Sequence, residues 1–286
     1  MERCSGAGRP PRSPGRGLVM SGPPGTPTVQ GSGPPLVLVH GTAGSRSAFG
    51  TLPWHLRDRF QVARYDRRGT GAWPLPPDAP TPSVERHAAD LLDVVRSLGD
   101  QRVVVFGTSF GASVVLEMLR TRPPEVAGAI LHEPAILAVG DLETGTSAPV
   151  AREFQRLSAA GREREAALRF LARLGAPGVA EAERGASRDA PHGGAPDWRS
   201  VHRDLVAAIG WNPRLDEMRD LDVPLLLLES ERSAPATRAS IESLARILRG
   251  STRAIVPGAG HVLAGDDAWR RVAALVGPFA EACLRG

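Results

Sequence analysis

Short apolar runs alternate with longer amphipathic segments over most of this chain of 286 residues. The apolar runs are typical of strands that are buried on both faces of a sheet. We predict strands at 36–39, 60–65, 102–106, 127–132, 223–228 and 252–256. The amphipathic segments predict helices at 45–58, 84–98, 110–121, 236–249 and 266–284. Strands that alternate with helices indicate an α/β fold with a doubly wound, mostly parallel sheet.

The segment between Pro134 and Asp222 interrupts this alternation, because it holds no convincing strand. Its apolar positions recur with helical period at 150–157, 162–174 and 198–209, and Gly, Pro and Ser separate these stretches. We therefore predict a helical insertion at 139–219, within a core formed by 34–138 and 220–286. Four aromatic residues of the insertion either line a pocket or pack its helices together: Phe154, Phe170, Trp198 and Trp211.

The first 33 residues have a different composition, dominated by Gly, Pro, Ser, Thr and Arg. Such a segment cannot bury enough apolar surface to offset the entropy lost on ordering. We predict a disordered tail at 1–33, in which only 28–30 offers residues for an additional edge strand.

Composition narrows the range of partners. All 35 basic residues are arginine, and the formal net charge of +4 is spread along the chain without a basic run interleaved with aromatic residues. This pattern argues against a nucleic-acid partner. No apolar run approaches the roughly 20 residues of a membrane span. We therefore expect no membrane partner. Because Cys4 and Cys283 lie at opposite ends and form no disulfide framework, we expect a cytoplasmic protein.

One stretch carries a specific chemical signal. Residues 107–111 read Gly-Thr-Ser-Phe-Gly, and they join the predicted strand 102–106 to the predicted helix 110–121. A serine on such a sharp turn presents its hydroxyl above the sheet edge, and glycines on either side avoid collisions between a Cβ atom and the backbone. The bare pattern is common in a chain with 32 glycines, so its weight comes from the strand and helix around it. Ser109 is therefore a candidate nucleophile.

Two further loops follow predicted strands and complement this serine. The strand at 36–39 leads into His-Gly-Thr-Ala-Gly at 40–44, a small-residue loop whose backbone can approach an oxyanion closely. The strand at 252–256 leads into a glycine-rich loop that ends at His261. Serine thus precedes histidine in the chain, which is the order of one known triad architecture.

Together these loops resemble those of the α/β-hydrolase fold family, from about Pro34 to the C-terminus. The motifs that carry the resemblance are His40-Gly41, Asp-Arg-Arg-Gly-Thr-Gly at 66–71, the turn at 107–111 and Gly260-His261. By this resemblance His40 orients the backbone of its loop by hydrogen bonds and is not a proton carrier. Asp66 and Arg67 are interpreted as residues that stabilise a turn.

The resemblance also implies the roles of the site residues. Ser109 would be the nucleophile, His261 the general base, and the backbone N–H groups of Thr42 and Phe110 the oxyanion hole. The insertion at 139–219 would be a helical cap that covers the site.

The acid that would orient the histidine is less well defined. In many relatives it is an aspartate after the seventh strand, and that position holds Ser233 in this chain. A subgroup of the family carries a glutamate directly after the strand that is sixth in the family's sheet. That strand corresponds to 127–132 in this chain, and Glu133 follows it. We predict Glu133 as the acid. Glu229 and Glu231 satisfy the same chain order and remain alternatives.

These features predict a serine hydrolase that needs neither cofactor nor metal. The expected substrate is a small-molecule ester, thioester or lactone, cleaved through an acyl-enzyme. Two alternatives stay open, because a fold alone does not define a reaction. One is hydrolysis of a carbon–carbon bond or a cyclisation on the same framework, and the other is a ligand-binding protein without catalysis. The sequence leaves the oligomeric state open.

Overall fold

The computed structural model describes residues 25–136, 147–173 and 197–286, and within them seven strands form one sheet. The strands are β1 (Thr28–Gln30), β2 (Pro35–Val39), β3 (Gln61–Arg64), β4 (Val103–Thr108), β5 (Val126–His132), β6 (Leu225–Ser230) and β7 (Thr252–Val256). Their spatial order is β1-β3-β2-β4-β5-β6-β7. β1 runs antiparallel to β3, and the other neighbours pair in parallel. The predicted mostly parallel sheet is confirmed.

Helices cover both faces of this sheet. The α-helices of the described residues are α1 (Leu52–Leu56), α2 (Val84–Arg96), α3 (Phe110–Arg120), α4 (Ser147–Ala159), α5 (Glu163–Arg173), α6 (Trp198–Gly210), α7 (Pro235–Ile247) and α8 (Asp266–Arg285). Helices α2, α3 and α7 pack on one face, and α1 and α8 pack on the other. The side chains of β2 alternate between the faces, so Val37 and Leu38 belong to different clusters. Burial on both faces explains why this strand reads as a continuous apolar run.

The register of the parallel strands brings their carboxyl ends together at one edge. Val39 of β2 pairs with Gly107 of β4, and Thr108 pairs with His132 of β5. His132 in turn pairs with Leu228 of β6. The residues that follow these four strands therefore lie side by side, which is where ligand sites of open α/β sheets form.

Helices α4, α5 and α6 form a separate apolar cluster. Phe154, Phe170 and Val201 are buried in it, and the rings of Phe154 and Phe170 meet edge to face at 5.5 Å. Trp211 follows α6 and is buried among the residues of the sheet core, where its indole N–H donates to Glu117 at 3.1 Å. Of the two expectations for these aromatic residues, the structure supports packing. That 139–219 is one insertion remains a prediction, since 137–146 and 174–196 lie outside the described residues.

The predicted tail needs a correction at its end. Thr28–Gln30 is strand β1, and its Val29 pairs with Ala63 of β3. The composition of 1–33 predicts a tail, and a strand of three residues shows no period against that background. Its hydrogen bonds go to a distant strand. Gly31 follows β1 with a φ of +90°, which favours glycine. The backbone of Gly31 also lies close to that of Phe60, because an added Cβ would lie 2.5 Å from the Phe60 carbonyl oxygen. Residues 1–24 lie outside the described part of the chain.

Close packing between β2 and α3 predicts a sharp response to one methyl group. A Cβ added to Gly111 would lie 2.5 Å from the His40 carbonyl oxygen and closer still to that of Val39. We expect Gly111→Ala to cost about 1–3 kcal/mol, because the helix must move away from the strand. Thermal unfolding should show a Tm several degrees lower. Gly210→Ala is the matched control, since nothing lies within 4 Å of an added Cβ there. An equal Tm for the two variants would contradict this view of the packing.

Candidate active site

Ser109 occupies a strained turn between β4 and α3. Its φ of 53° and ψ of −123° lie outside the regions that residues with a side chain normally adopt. The surrounding backbone holds this conformation, because the Ser109 N–H donates to the His132 carbonyl at 2.8 Å, and the Ser109 carbonyl accepts from Ala112 at 2.9 Å. Gly107 is required next to the turn, since an added Cβ would lie 2.6 Å from the Gly111 carbonyl oxygen. The hydroxyl is therefore held at the carboxyl edge of the sheet.

The three predicted site residues are joined by hydrogen bonds. The Nε2 atom of His261 lies 3.2 Å from the Ser109 Oγ, and its Nδ1 lies 2.5 Å from the Glu133 Oε2. A carboxylate only accepts hydrogen bonds, so Nδ1 carries the proton of the neutral ring. The Nε2 atom is then free to accept the Ser109 hydroxyl proton. In this tautomer His261 is oriented to act as a base toward Ser109.

Glu133 is buried and anchored on both sides. It follows β5 directly, with a φ of 46° that turns its side chain at the end of the strand. Its Oε1 atom accepts from the Ser230 N–H at 2.7 Å and from the Ser233 hydroxyl. Burial alone would raise the pKa of this carboxyl, but the His261 and Ser233 hydrogen bonds and the two nearby histidines lower the pKa to about 2. Glu133 is thus ionised at neutral pH.

His132 lies beneath the predicted site. It is fully buried, and its Nδ1 and Nε2 atoms each lie 2.9 Å from a hydroxyl, of Thr108 and of Ser230 respectively. Burial lowers the pKa of His132 to about 4, so the ring is neutral at pH 7. His132 belongs to none of the sequence motifs, and its position before Glu133 is the one signal in the sequence that points to it. It ties the ends of β4 and β6 to that of β5, on either side of Glu133.

The alternative acids make other contacts. The carboxylate of Glu229 pairs with Arg238 at 3.2 Å and with Arg253 at 2.9 Å. Glu231 accepts from the Gly258 N–H at 2.7 Å. These contacts engage both carboxylates away from the His261 ring, whose two nitrogens are taken by Ser109 and Glu133.

The predicted oxyanion-hole residues flank Ser109 from two sides. A Cβ added to Gly41 would lie 3.0 Å from the Ser109 Cβ, so a glycine is needed for this loop to pass so close. Thr42 follows on the same loop, and Phe110 is the first residue of α3, where helix N–H groups have no partner of their own. Within the described residues, neither the Thr42 nor the Phe110 N–H donates to a backbone carbonyl. Neither N–H group is therefore engaged by a backbone carbonyl of the described residues, as the predicted role requires.

His40 fixes the start of the oxyanion loop. Its Nδ1 donates to the Gly41 carbonyl at 2.9 Å, so its Nε2 is the acceptor of the Arg67 backbone N–H at 3.2 Å. Burial, together with the positive charge of Arg67, holds the pKa of His40 well below its usual value. The ring is neutral and holds two loops together.

The described residues contain no group of three or more His, Cys, Asp or Glu side chains that could hold a metal ion. In the same part of the chain, every helix falls short of the length and apolar character that crossing a membrane requires.

Comparisons with known proteins identify the family of the chain. The profile of the alpha/beta hydrolase family matches residues 36–275, which include Ser109, Glu133 and His261. The uncharacterized hydrolase YraK of Bacillus subtilis is 35% identical over 109 residues, 38% of this chain and 40% of that protein. The lipase LipV of Mycobacterium tuberculosis is 32% identical over 110 residues, 38% of this chain and 41% of that protein. The matched part thus spans about two fifths of the length of these relatives.

Solved structures show the same fold. An esterase from Thermogutta terrifontis superposes with a TM-score of 0.68 at 23% identity, covering 90% of this chain and 93% of the esterase. An alpha/beta hydrolase from Sphaerobacter thermophilus gives a TM-score of 0.67 at 24% identity, covering 89% of this chain and 95% of that chain. Because the family profile matches more than half of this chain, the chain belongs to the alpha/beta hydrolase family.

Proposed function

We propose that this protein is a serine hydrolase that cleaves an ester, thioester or lactone of a small molecule through an acyl-enzyme. One observation carries the proposal: hydrogen bonds run continuously from the Glu133 carboxylate through His261 to the Ser109 hydroxyl. Such a chain activates a serine, because the base that takes its proton is itself oriented and electrostatically stabilised.

The first half of the proposed reaction forms the acyl-enzyme. As the Ser109 Oγ attacks the substrate carbonyl carbon, its proton passes to the Nε2 atom of His261. The negative charge that forms on the carbonyl oxygen is stabilised by the N–H groups of Thr42 and Phe110. When the tetrahedral intermediate collapses, His261 returns the proton to the leaving alcohol or thiol. The acyl group stays on Ser109.

The second half releases the acid. A water molecule gives a proton to the Nε2 atom of His261 and attacks the acyl carbon, and the collapse of this second intermediate returns the proton to Ser109. His261 is positively charged while each intermediate exists. The pKa of Glu133, lowered to about 2, supports its part in this step, because an ionised carboxylate stabilises the imidazolium.

The choice of ester chemistry rests on the nucleophile and on the relatives. A serine on this turn forms an acyl-enzyme with a carbonyl substrate. The names of two similar proteins, a lipase and a thermophilic esterase, point the same way. We also propose that α4, α5 and α6 belong to a cap at 139–219 that selects the substrate. The contact of Ala43, on the oxyanion loop, with their apolar cluster supports this role.

A fluorophosphonate probe tests the nucleophile directly. We expect one phosphonyl group per chain on Ser109, because the probe reacts only with an activated serine. Ser109→Ala should abolish labelling. Ser113→Ala is the matched control, since that hydroxyl donates to the Ala135 carbonyl at 3.1 Å and should leave labelling unchanged. Labelling that persists in folded Ser109→Ala, or that is absent from folded wild type, would contradict the proposal and favour a ligand-binding protein.

A set of isosteric amides tests the acid. Glu133→Gln keeps the shape of the side chain but cannot stabilise the imidazolium, so we expect kcat on a p-nitrophenyl ester to fall by about 10³–10⁴. Glu229→Gln and Glu231→Gln should stay within tenfold of wild type, roughly 1.4 kcal/mol in activation free energy. Circular dichroism confirms that each variant is folded. Near-normal turnover in folded Glu133→Gln would remove this residue from the mechanism.

A further inference from the structure

We propose that Asp204 on α6 is a positioning residue for the oxyanion hole, acting through the buried guanidinium of Arg67. This inference rests on the proposed function, because it concerns the geometry that stabilises the oxyanion. It goes beyond that function because it makes the geometry of the oxyanion hole depend on the packing of α4, α5 and α6. The position of α6 would thereby influence the rate of the chemical step.

A single buried guanidinium connects the two parts. Arg67 is fully buried, and it meets Asp204 in a bidentate pair, with Nη1 to Oδ1 at 2.9 Å and Nη2 to Oδ2 at 2.6 Å. The same side chain donates from Nε to the His40 carbonyl at 3.0 Å and from Nη2 to the Gly41 carbonyl at 3.1 Å. The carboxylate of α6 therefore fixes the group that holds the two residues before Thr42.

The side chain of the second proposed donor residue, Phe110, lies against the same guanidinium. The Cζ atom of Arg67 lies 4.7 Å from the centroid of the Phe110 ring, and Phe110 supplies the other N–H. Ala43, which follows Thr42 with a φ of 60°, packs against the apolar cluster of α4, α5 and α6. Two contacts therefore join the oxyanion loop, residues 40–44, to α4, α5 and α6. One is the ion pair of Arg67 with α6, and the other is the apolar contact of Ala43 with the cluster of the three helices.

Physical chemistry makes this arrangement sensitive to Asp204. Fully buried charges are tolerated when they are paired and hydrogen-bonded, and removing one partner leaves the other uncompensated. Without the carboxylate, Arg67 would move toward other acceptors and release the carbonyls of His40 and Gly41. Oxyanion donors act at distances of about 2.7–3.1 Å, so a small shift of the loop weakens them.

Another contact between α6 and the core provides a matched control. Arg203, next to Asp204 in the chain, donates from Nη2 to the Pro76 carbonyl at 2.7 Å and to the Pro77 carbonyl at 3.1 Å. Arg203→Met removes a polar tether of the same helix without touching the oxyanion loop. A merely structural role for Asp204 would give the two variants similar effects on activity.

The experiment compares Asp204→Asn with Arg203→Met. For Asp204→Asn we expect kcat on a p-nitrophenyl ester to fall about 100-fold with KM nearly unchanged, because the lost interaction acts in the transition state. Amides at 41–44 should exchange hydrogen faster in this variant. For Arg203→Met we expect kcat within threefold of wild type and unchanged exchange at 41–44. Equal kcat for the two variants, or a change confined to KM, would overturn the inference.

A double variant and a measurement without substrate extend this experiment. If Asp204→Asn does not fold, the double variant Arg67→Met/Asp204→Leu replaces the pair by apolar groups that a core accepts, and it should fold yet show the same loss of kcat. Wild-type kcat in the double variant would overturn the inference. Hydrogen exchange at 41–44 needs no substrate, so it separates the two proposals. Absence of ester turnover in wild type would contradict the proposed function, whereas unchanged exchange in Asp204→Asn would contradict the coupling.

Discussion

The Glu133 carboxylate is the constraint on which the site depends. It is buried at the end of β5, yet it holds a residue from each of two other segments: Ser230 at the end of β6 and His261 in the loop after β7. A carboxylate in such a place is tolerated because its oxygens accept several hydrogen bonds. The bonds that keep it charged also fix the position of the imidazole. The stability of this carboxylate and the proposed chemistry therefore rest on the same contacts.

The sheet provides the frame for that carboxylate. Because β4, β5 and β6 are parallel and in register, their ends deliver Ser109, Glu133 and Ser230 to one edge. His132 adds a second layer, in which one neutral ring joins Thr108 and Ser230. In a separate network, Arg67 connects the loop at 40–44 to α6. In the proposed mechanism the nucleophile thus lies between two buried polar networks, one that would orient the base and one that would shape the oxyanion hole.

Structural elements whose residues are contiguous in the chain could be predicted from the sequence. The strand, turn and helix around Ser109 are contiguous in the chain, so periodicity and glycine spacing were sufficient to find them. Features that depend on distant partners were harder to predict. Strand β1 is too short to show a period, and its partner β3 lies more than thirty residues away. Chain order alone left Glu229 and Glu231 open, and only the arginines and the loop N–H that they contact distinguish them from Glu133.

Arg67 illustrates the same limit. Its sequence context predicts a turn-stabilising residue, and its contacts with His40 and Gly41 fit that expectation. Nothing in the sequence connects it with Asp204, which lies 137 positions away. The pairing arises because α6 lies against the loop that follows β3. Ion pairs of this kind become predictable only once the packing of the helices on the sheet is known.

The central claim is that Ser109 carries the acyl group during turnover. A p-nitrophenyl carbamate tests it most directly, because a carbamoyl-serine hydrolyses slowly enough to be isolated. After one equivalent of p-nitrophenol has been released, mass spectrometry of the intact and digested protein should find one carbamoyl group, located on Ser109. Release of p-nitrophenol with Ser109 unmodified, or with the carbamoyl group on another residue, would contradict the account.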